Sequence, residues 1–337
     1  REGVVKSYSE SAEKVSRPLP LRTDEALKDL SRILGLPASR ILSIMEDLYS
    51  EGYISYPRTD TDRYRPGFDF SKPMSAACSG LGVAVHAAPS PRNGRRDDGA
   101  HPPIYPVRPY DGRSVPRAVW EYIARRFLAN AYYKDAERLH QSATVDVGGL
   151  ELKASGSKTV RDGFYGVYGY FKPSDSPIPR LRIGGRVRVV GLELLEEETR
   201  PPPKLSESDL IARMEEEGIG TDATRAEYPS IIVSRGYAER SGGRYAPLPL
   251  GRALIEALEG VEKRLVTPET RRTVEEYMGR IERGEVSMRI ALRDSIATYR
   301  ELLERCASSI DVIAHRLATA TEDRRVIQKN RAGRRNG

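Results

Sequence analysis

A pattern of two helices, a tight turn and a following strand occurs twice in the sequence, on either side of a β-rich middle. The first copy covers residues 21–56, where leucines recur at helical spacing before Gly35 and Pro37 interrupt the helix. The second copy covers residues 206–247. The periodicity changes from helical to strand-like and back, so we predict an α+β fold with several domains and winged-helix-like units around a β-rich section.

Composition shifts suggest where these domains begin and end. The chain has 337 residues, enough for two or more hydrophobic cores. Proline-marked stretches, "SRPLPL" and "TRPPPKLSES", separate segments of different character, and "SATVDVGGLELKAS", "DGFYGVYGY" and "GGRVRVVGLELLEEE" are expected strands. We predict an entry segment (1–17), a winged-helix-like domain (18–134), a β-rich domain (135–200), a helical domain (201–320) and a basic tail (321–337).

Local signals place several elements within the helical domain. Ser206 and Asp209 form a capping pair before an apolar run, and Thr267-Pro268 opens another helix with proline at its first position. Gly242-Gly243 predicts the turn of a hairpin. The last two helices carry apolar stripes that we interpret as core, and their members are Val274, Tyr277, Met278, Ile281, Leu292, Ile296, Tyr299 and Leu303.

The formal net charge is +7, which suits an acidic partner such as nucleic acid. A generally basic proteome explains this charge equally well. The tail "EDRRVIQKNRAGRRNG" holds six Lys or Arg residues and is a candidate for phosphate contacts or for a solvated tail. Cys78 and Cys306 are far apart with no CxxC motif, so no zinc module is expected. No apolar run is long enough to span a membrane, and we expect a cytoplasmic, nucleoid-associated location.

The segment "YISYPRTDTDRY" carries the clearest chemistry. A phenol attacks phosphorus only when a cation stabilises the charge that develops, and Arg58 follows Tyr56 by two residues, so both point the same way on an extended chain. His101, in "DDGAHPPIYPV", could donate a hydrogen bond to the same phosphate. A buried strand aromatic and a structural histidine are the alternatives. Asp60 and Asp62 are expected to be turn caps, so no metal site is predicted.

Four motifs in order resemble the type IA DNA topoisomerases, particularly the topoisomerase III and archaeal branch. They are "RPLPLRTDEALKDLSRILGLPASRILSIMEDLY", "LYSEGYISYPRTDTDRY", "DDGAHPPIYPV" and "PPPKLSESDLIARMEEEGIGTDATRAE". The resemblance covers roughly residues 18–240. It implies the incomplete form of that family's toroidal architecture.

The resemblance also implies roles for individual residues. Tyr56 would attack single-stranded DNA and form a 5′-phosphotyrosine, so that strand passage and religation relax negative supercoils or decatenate DNA without ATP. Arg58 would stabilise the charge on the scissile phosphate, and His101 would contact the same region. The "GTDATRA" segment would line the DNA path at a helix N-terminus. The residues concerned there are Thr221, Asp222, Thr224 and Arg225. An ordinary helix cap is the alternative for the first two.

Nothing in the sequence matches the family's toprim domain, which carries an Asp-x-Asp cluster for magnesium. We therefore expect Mg²⁺ to act in the complete enzyme with ligands from elsewhere, either a toprim-containing chain or a missing N-terminal portion. A split-gene subunit, a truncated gene and an expressed piece all stay open. The family's common zinc modules are also missing at the end. Pro229 interrupts the segment where relatives continue as helix, which leaves that helix boundary open.

Two other classes of function compete with this interpretation. A non-enzymatic module would bind single-stranded DNA through basic and aromatic residues without turnover. Tyrosine recombinases and replication nickases also form phosphotyrosines. Recombinases need several catalytic Arg and His positions in another order, and nickases need a His-x-His cluster, which four dispersed histidines do not provide.

Overall fold

The computed structural model describes residues 2–221 and 224–320, so the predicted basic tail (321–337) and Asp222 lie outside the described residues. Helices and antiparallel sheets combine, which confirms the α+β prediction. The chain divides into two compact units, the first made of Arg1–Arg22 and Ile44–Pro202, and the second made of Thr23–Ser43 and Pro203–Gly337. The five finer segments stay a prediction.

A four-stranded antiparallel sheet dominates the first unit. Its strands are β1 (Glu2–Val15), β2 (Ala136–Val147), β3 (Leu150–Arg161) and β4 (Arg186–Arg188), in the order β3-β2-β1-β4. β2 and β3 form the predicted hairpin, because Gly148 and Gly149 both take positive φ in the turn. β1 was not predicted, since its sequence is largely polar. It is stabilised by a long pairing with β2, from Val4 opposite Asp146 to Val15 opposite Ala136.

One expected strand of the β-rich section is wrong, and another forms only in part. The "DGFYGVYGY" stretch forms a short 3-10 turn at Gly163–Gly166, where Phe164 and Tyr168 are buried as packing residues. In "GGRVRVVGLELLEEE" only β4 is a strand, and Leu194 beyond it is 99% exposed. Strand-like composition was insufficient here because a strand also needs a neighbour to pair with.

Two further helices belong to the first unit, α3 (Ser71–Leu81) and α4 (Ser114–Tyr132). α4 is buried along most of its length, with Trp120 fully covered. α3 was missed because the stretch 65–116 is rich in Gly, Pro and Ser. It packs closely on α4, since a Cβ added to Gly80 would lie 2.2 Å from the Trp120 ring.

The second unit is helical with one small hairpin. Its elements are α1 (Thr23–Leu34), α5 (Glu207–Glu216), α6 (Tyr228–Ser234), β5 (Ala238–Ser241), β6 (Arg244–Pro247), α7 (Pro249–Val261), α8 (Pro268–Glu282) and α9 (Met288–Ser308). α2 (Ala38–Ser50) begins here and ends in the first unit. The Ser206–Asp209 capping box and the β5–β6 hairpin are present as predicted. α1 packs against α5, and Lys28 lies 3.2 Å from Glu215.

The apolar stripes of α8 and α9 are not core, which corrects the interpretation from periodicity. On α8 no residue is buried, and Met278 is 57% exposed. On α9 the four stripe residues Leu292, Ile296, Tyr299 and Leu303 are all exposed, whereas Ala291 and Leu302 are buried. Spacing therefore identified an apolar face correctly but did not show whether anything covers it. Among the described residues, no helix has the length and apolar character needed to cross a membrane.

Candidate active site

The segment that carries Tyr56 is held by the chain that follows His101. The backbone N–H of Ser55 donates to the carbonyl oxygen of Tyr105 at 3.0 Å, and the N–H of Tyr105 donates back to the Ser55 Oγ at 2.9 Å. The strand predicted for "YISY" is a single antiparallel bridge between Ile54 and Pro106. Pro106 has no N–H to donate, which limits the ladder to this short contact.

This pairing brings the rings of Tyr56 and His101 together. Their centroids lie 4.6 Å apart with planes inclined at 38°. Tyr49, on the last turns of α2, meets Tyr56 edge to face at 5.3 Å. Tyr56 is half-buried and Tyr49 is 45% exposed, so solvent reaches the pair. The site joins a phenol to an imidazole across 45 residues of sequence.

Arg58 is oriented by a carboxylate from the preceding helix. Its Nε donates to an oxygen of Glu46 at 2.7 Å, and its Nη2 lies 2.6 Å from the same oxygen. The Arg58 side chain is 27% exposed, so it remains accessible from solvent. A guanidinium held at one edge is suited to receive a phosphate, because its donors form a fixed planar fork.

The loop after Arg58 is bonded along its length to the loop before His101. Thr59 and Thr61 are fully buried, and both hydroxyls bond to Asp98. Further along, the Asp62 carboxylate accepts from the backbone N–H of Arg96 at 2.8 Å. The backbone carbonyl oxygen of Asp62 accepts from the N–H of Gly94, also at 2.8 Å. These bonds fix the two loops to each other, so the catalytic candidates rest on a rigid support.

Asp60 and Asp62 both have structural partners, but these lie in other segments, so the expected turn caps are wrong. Asp60 accepts hydrogen bonds from the side chains of Arg22 and Arg96, while the Asp62 carboxylate accepts from the backbone N–H of Arg96. Within residues 2–221 and 224–320, no group of three or more His, Cys, Asp or Glu side chains is arranged to hold a metal ion. These residues therefore do not fit the Mg²⁺ expected for the complete enzyme, and no step below is assigned to a metal. Its ligands elsewhere stay a prediction.

The second unit contains the other predicted site residues except Asp222. The Thr224 Oγ1 accepts from the N–H of Thr221 at 3.0 Å, which closes a tight turn. Arg225 turns inward, where its guanidinium donates to Asp24 and to the carbonyl oxygens of Ile219 and Gly220. The side chain of Asp24 is 1% exposed and that of Arg225 is 12% exposed. Their predicted contacts with DNA stay a prediction.

The expected position of this segment at a helix start is wrong. Residues 224–227 form a turn, and α6 begins only at Tyr228. Pro229 explains the boundary that the sequence left open. It lies in the first turn of α6, where its missing N–H needs no partner, and it would break a helix that began earlier. The helix terminus is therefore several residues beyond Thr221.

Three residues that sequence reasoning missed complete the site: Glu46, Tyr49 and Asp98. Glu46 and Tyr49 are three residues apart on α2, so they share a helix face, and both contact predicted catalytic residues. The sequence could have indicated these two residues only if the end of α2 had been known to lie just before Tyr56. Asp98 precedes His101 by three residues, a spacing at which carboxylates often bond nearby backbone N–H groups.

Comparisons with known proteins identify the family of this chain. A family model described as DNA topoisomerase matches residues 1–292. Relatives include "DNA topoisomerase 1" of Thermoplasma acidophilum, 33% identical over 90% of this chain, and "DNA topoisomerase 3-alpha" of Drosophila melanogaster, 34% identical over 87%. The chain therefore belongs to the type IA DNA topoisomerase family, as its motifs indicated.

A solved structure shows the same fold. Full-length topoisomerase I from Thermotoga maritima superposes with a TM-score of 0.74 at 22% identity, over 90% of this chain and 53% of the other. This chain spans 40% of the Thermoplasma relative and 24% of the Drosophila relative. The matched region is thus about half, or less, of these proteins.

Proposed function

We propose that this chain carries the strand-cleaving residues of a type IA topoisomerase reaction. Tyr56 attacks a backbone phosphate of single-stranded DNA. A bond forms between the phenol oxygen and phosphorus, the bond from phosphorus to the 3′ oxygen breaks, the phenol loses its proton and the 3′ oxygen gains one. The product is a 5′-phosphotyrosine, which conserves the phosphodiester energy, so religation by the 3′-hydroxyl needs no ATP.

The contact between the Tyr56 and His101 rings, 4.6 Å between centroids, is the observation that carries this proposal. It supports a shared site because the two residues come from distant segments and are both accessible. Arg58 stabilises charge on the phosphate, and His101 donates a hydrogen bond to it. The acid that protonates the leaving oxygen would come from a toprim-containing segment or partner chain, which would also hold the Mg²⁺ of the complete enzyme. Strand passage would then relax or decatenate DNA.

A second candidate is a module that binds single-stranded DNA without cleaving it. Tyr49 is 45% exposed beside the site, and Arg108 lies over the Tyr53 ring at 4.8 Å. Exposed aromatic faces and arginines provide stacking and phosphate contacts that need no turnover. Binding alone therefore does not distinguish the two functions.

A covalent-adduct assay tests the cleavage proposal. The chain is mixed with 3′-labelled single-stranded DNA, with and without Mg²⁺ and a toprim fragment of a relative, and then denatured. Cleavage by Tyr56 transfers label to the protein, because the enzyme retains the 5′ end of the labelled fragment. Tyr56→Phe should abolish the adduct. Tyr165→Phe is the control, since Tyr165 is also half-buried and none of its described contacts involves Tyr56, Arg58 or His101, so the adduct should remain in place.

Each outcome assigns the function. An adduct that needs the toprim fragment supports half of a topoisomerase, and an adduct without it means that the residues of this chain suffice for cleavage. An adduct that survives Tyr56→Phe would overturn the assigned nucleophile. Intact DNA binding without any adduct, using a fragment shown to bind the chain, would favour the binding module.

A further inference from the structure

Asp98 lies at the centre of the bonds that join the two loops of the site. Its Oδ1 accepts from the backbone N–H groups of Ala100 and His101, at 2.9 and 2.7 Å. Its Oδ2 accepts from the Thr59 hydroxyl at 2.9 Å, and its own N–H donates to the Thr61 Oγ1 at 3.0 Å. One carboxylate thus contacts the segment of the nucleophile and the segment of the histidine.

The same carboxylate faces the imidazole ring. The Oδ2 of Asp98 lies 3.5 Å from the Nδ1 of His101, near enough for its negative charge to favour a proton on that nitrogen. Burial raises the pKa of Asp98. Hydrogen bonds from the His101 and Ala100 N–H groups and from the threonine hydroxyls outweigh this effect and lower the pKa to about 2. Asp98 is therefore ionised at neutral pH, and it can accept but not donate.

We propose that Asp98 is a positioning residue for the cleavage reaction, acting through His101. Its carboxylate keeps the imidazole proton on Nδ1 and fixes the ring against Tyr56, which leaves the Nε2 lone pair to accept the proton that the phenol loses. The Nε2–H formed in this way then donates to the phosphate. This inference rests on the proposed function. A carboxylate that holds a histidine in one tautomer is a general device for setting which ring nitrogen faces the reaction.

Asp98→Asn separates the structural bonds of Asp98 from its effect on the imidazole. The amide oxygen still accepts from the N–H groups of Ala100 and His101, and the amide NH₂ donates to the Thr59 Oγ. The same NH₂ now faces Nδ1 of His101. A donor there favours a lone pair on Nδ1 and moves the proton to Nε2, so Nε2 can no longer accept the proton of the Tyr56 phenol.

Asp97→Asn is the matched control for this substitution. It removes the same charge one residue away, where Asp97 accepts from Gly99 N–H at 2.9 Å and lies 3.2 Å from Arg65. Among the described contacts of Asp97, none involves the His101 ring. A general effect of charge on the loop would therefore appear in both variants.

The tautomer of His101 is measured by ¹⁵N NMR of histidine-labelled chain at about pH 8.5, above the ordinary imidazole range. The chain has four histidines, and His101→Gln assigns the signal. We expect a proton on Nδ1 in the wild type and in Asp97→Asn, and the Nε2–H tautomer in Asp98→Asn. An Nε2–H tautomer in the wild type would overturn the proposal without any variant.

The adduct assay then tests the functional part. We expect Asp98→Asn to slow adduct formation at saturating DNA by at least about tenfold, with Kd changed less than about twofold, whereas Asp97→Asn stays within about twofold of wild type. Equal rates in the two variants would overturn the role in positioning. If the wild type forms no adduct, the proposed function fails, while the NMR result still decides whether Asp98 sets the tautomer.

Discussion

Arg58 donates from its Nε to Glu46 at 2.7 Å, and Glu46 lies on α2, the helix that ends just before Tyr56. Glu46→Gln keeps the shape of that side chain and removes its charge. We expect adduct formation at saturating DNA to fall by about tenfold, equivalent to about 1.4 kcal/mol of transition-state stabilisation, because a neutral amide oxygen holds Arg58 less firmly than a carboxylate does. DNA affinity should rise slightly, because a negative charge beside the phosphate site is lost. Adduct kinetics and a Kd measurement separate the two effects.

Glu51→Gln provides the control for that prediction. Glu51 is exposed and lies in the same stretch of chain, so its substitution removes an equal charge at a site away from Arg58. Its adduct rate should match the wild type. If Glu46→Gln and Glu51→Gln have the same effect, Glu46 acts through general charge rather than through Arg58.

The ionisation of Asp98 predicts a change in stability at acid pH. Its folded-state pKa of about 2 lies below the ordinary value of about 4, so its stabilising effect is complete above about pH 4 and is lost as pH falls through 2. We expect the wild type to lose about 1 kcal/mol more unfolding free energy than Asp98→Asn between about pH 4 and 2, after allowing for partial solvent screening. Urea unfolding curves across this range measure the difference. Parallel curves for the two proteins would contradict the assignment.

Gly94 permits the close approach of the two loops of the site. A Cβ at this position would lie 2.2 Å from the Asp62 Oδ1, which bonds to the N–H of Arg96. We expect Gly94→Ala to destabilise the chain by about 1–3 kcal/mol and to lower adduct formation, because Asp62 must move. Gly191→Ala is the control, since nothing lies within 4 Å of a Cβ there. Equal urea midpoints for the two variants would show that the two loops shift to accommodate the added methyl group without loss of stability.

Elements with local signals were predictable from the sequence. The Ser206–Asp209 capping box, the Gly148-Gly149 turn and the proline at the start of α8 each depend on residues within a few positions of one another. The candidate nucleophile was also assigned from a short motif. In each case the determining interactions lie within one segment, so periodicity and turn chemistry suffice.

Features that depend on distant partners were not predictable. β1 is polar and forms only because β2 lies beside it, more than a hundred residues later in the chain. The contact between Tyr56 and His101 was expected only through the family resemblance, because it depends on the pairing of Ser55 with Tyr105. The strand expected near Leu194 has no pairing partner among the described strands. Sequence patterns describe what a segment can do, and tertiary neighbours decide whether it does so.

Variants of Arg225 and Asp24 test whether the contact between these residues stabilises the fold of the "GTDATRA" segment. Arg225→Ala removes the guanidinium that lies against the buried carboxylate of Asp24, and we expect it to cost about 3–5 kcal/mol of unfolding free energy. The double variant with Asp24→Asn should cost less than the sum of the single variants, with a coupling energy of about 1–3 kcal/mol. Urea unfolding of all four proteins gives this cycle. Lowered DNA affinity with unchanged stability would instead indicate that Arg225 contacts DNA directly.

Two adjacent leucines on α9 test the correction to the predicted core. α9 packs against α7 and α8. Leu302 is 1% exposed and Leu303 is 68% exposed, so the buried face includes the former and not the stripe inferred from spacing. We expect Leu302→Ala to cost about 2–5 kcal/mol and Leu303→Ala to stay within about 0.5 kcal/mol of wild type, because only the first leaves a cavity. Urea unfolding of the two variants makes a matched comparison, since the chemical change is identical. A large cost for Leu303→Ala would mean that this face is covered in solution, as the periodicity of α9 first suggested.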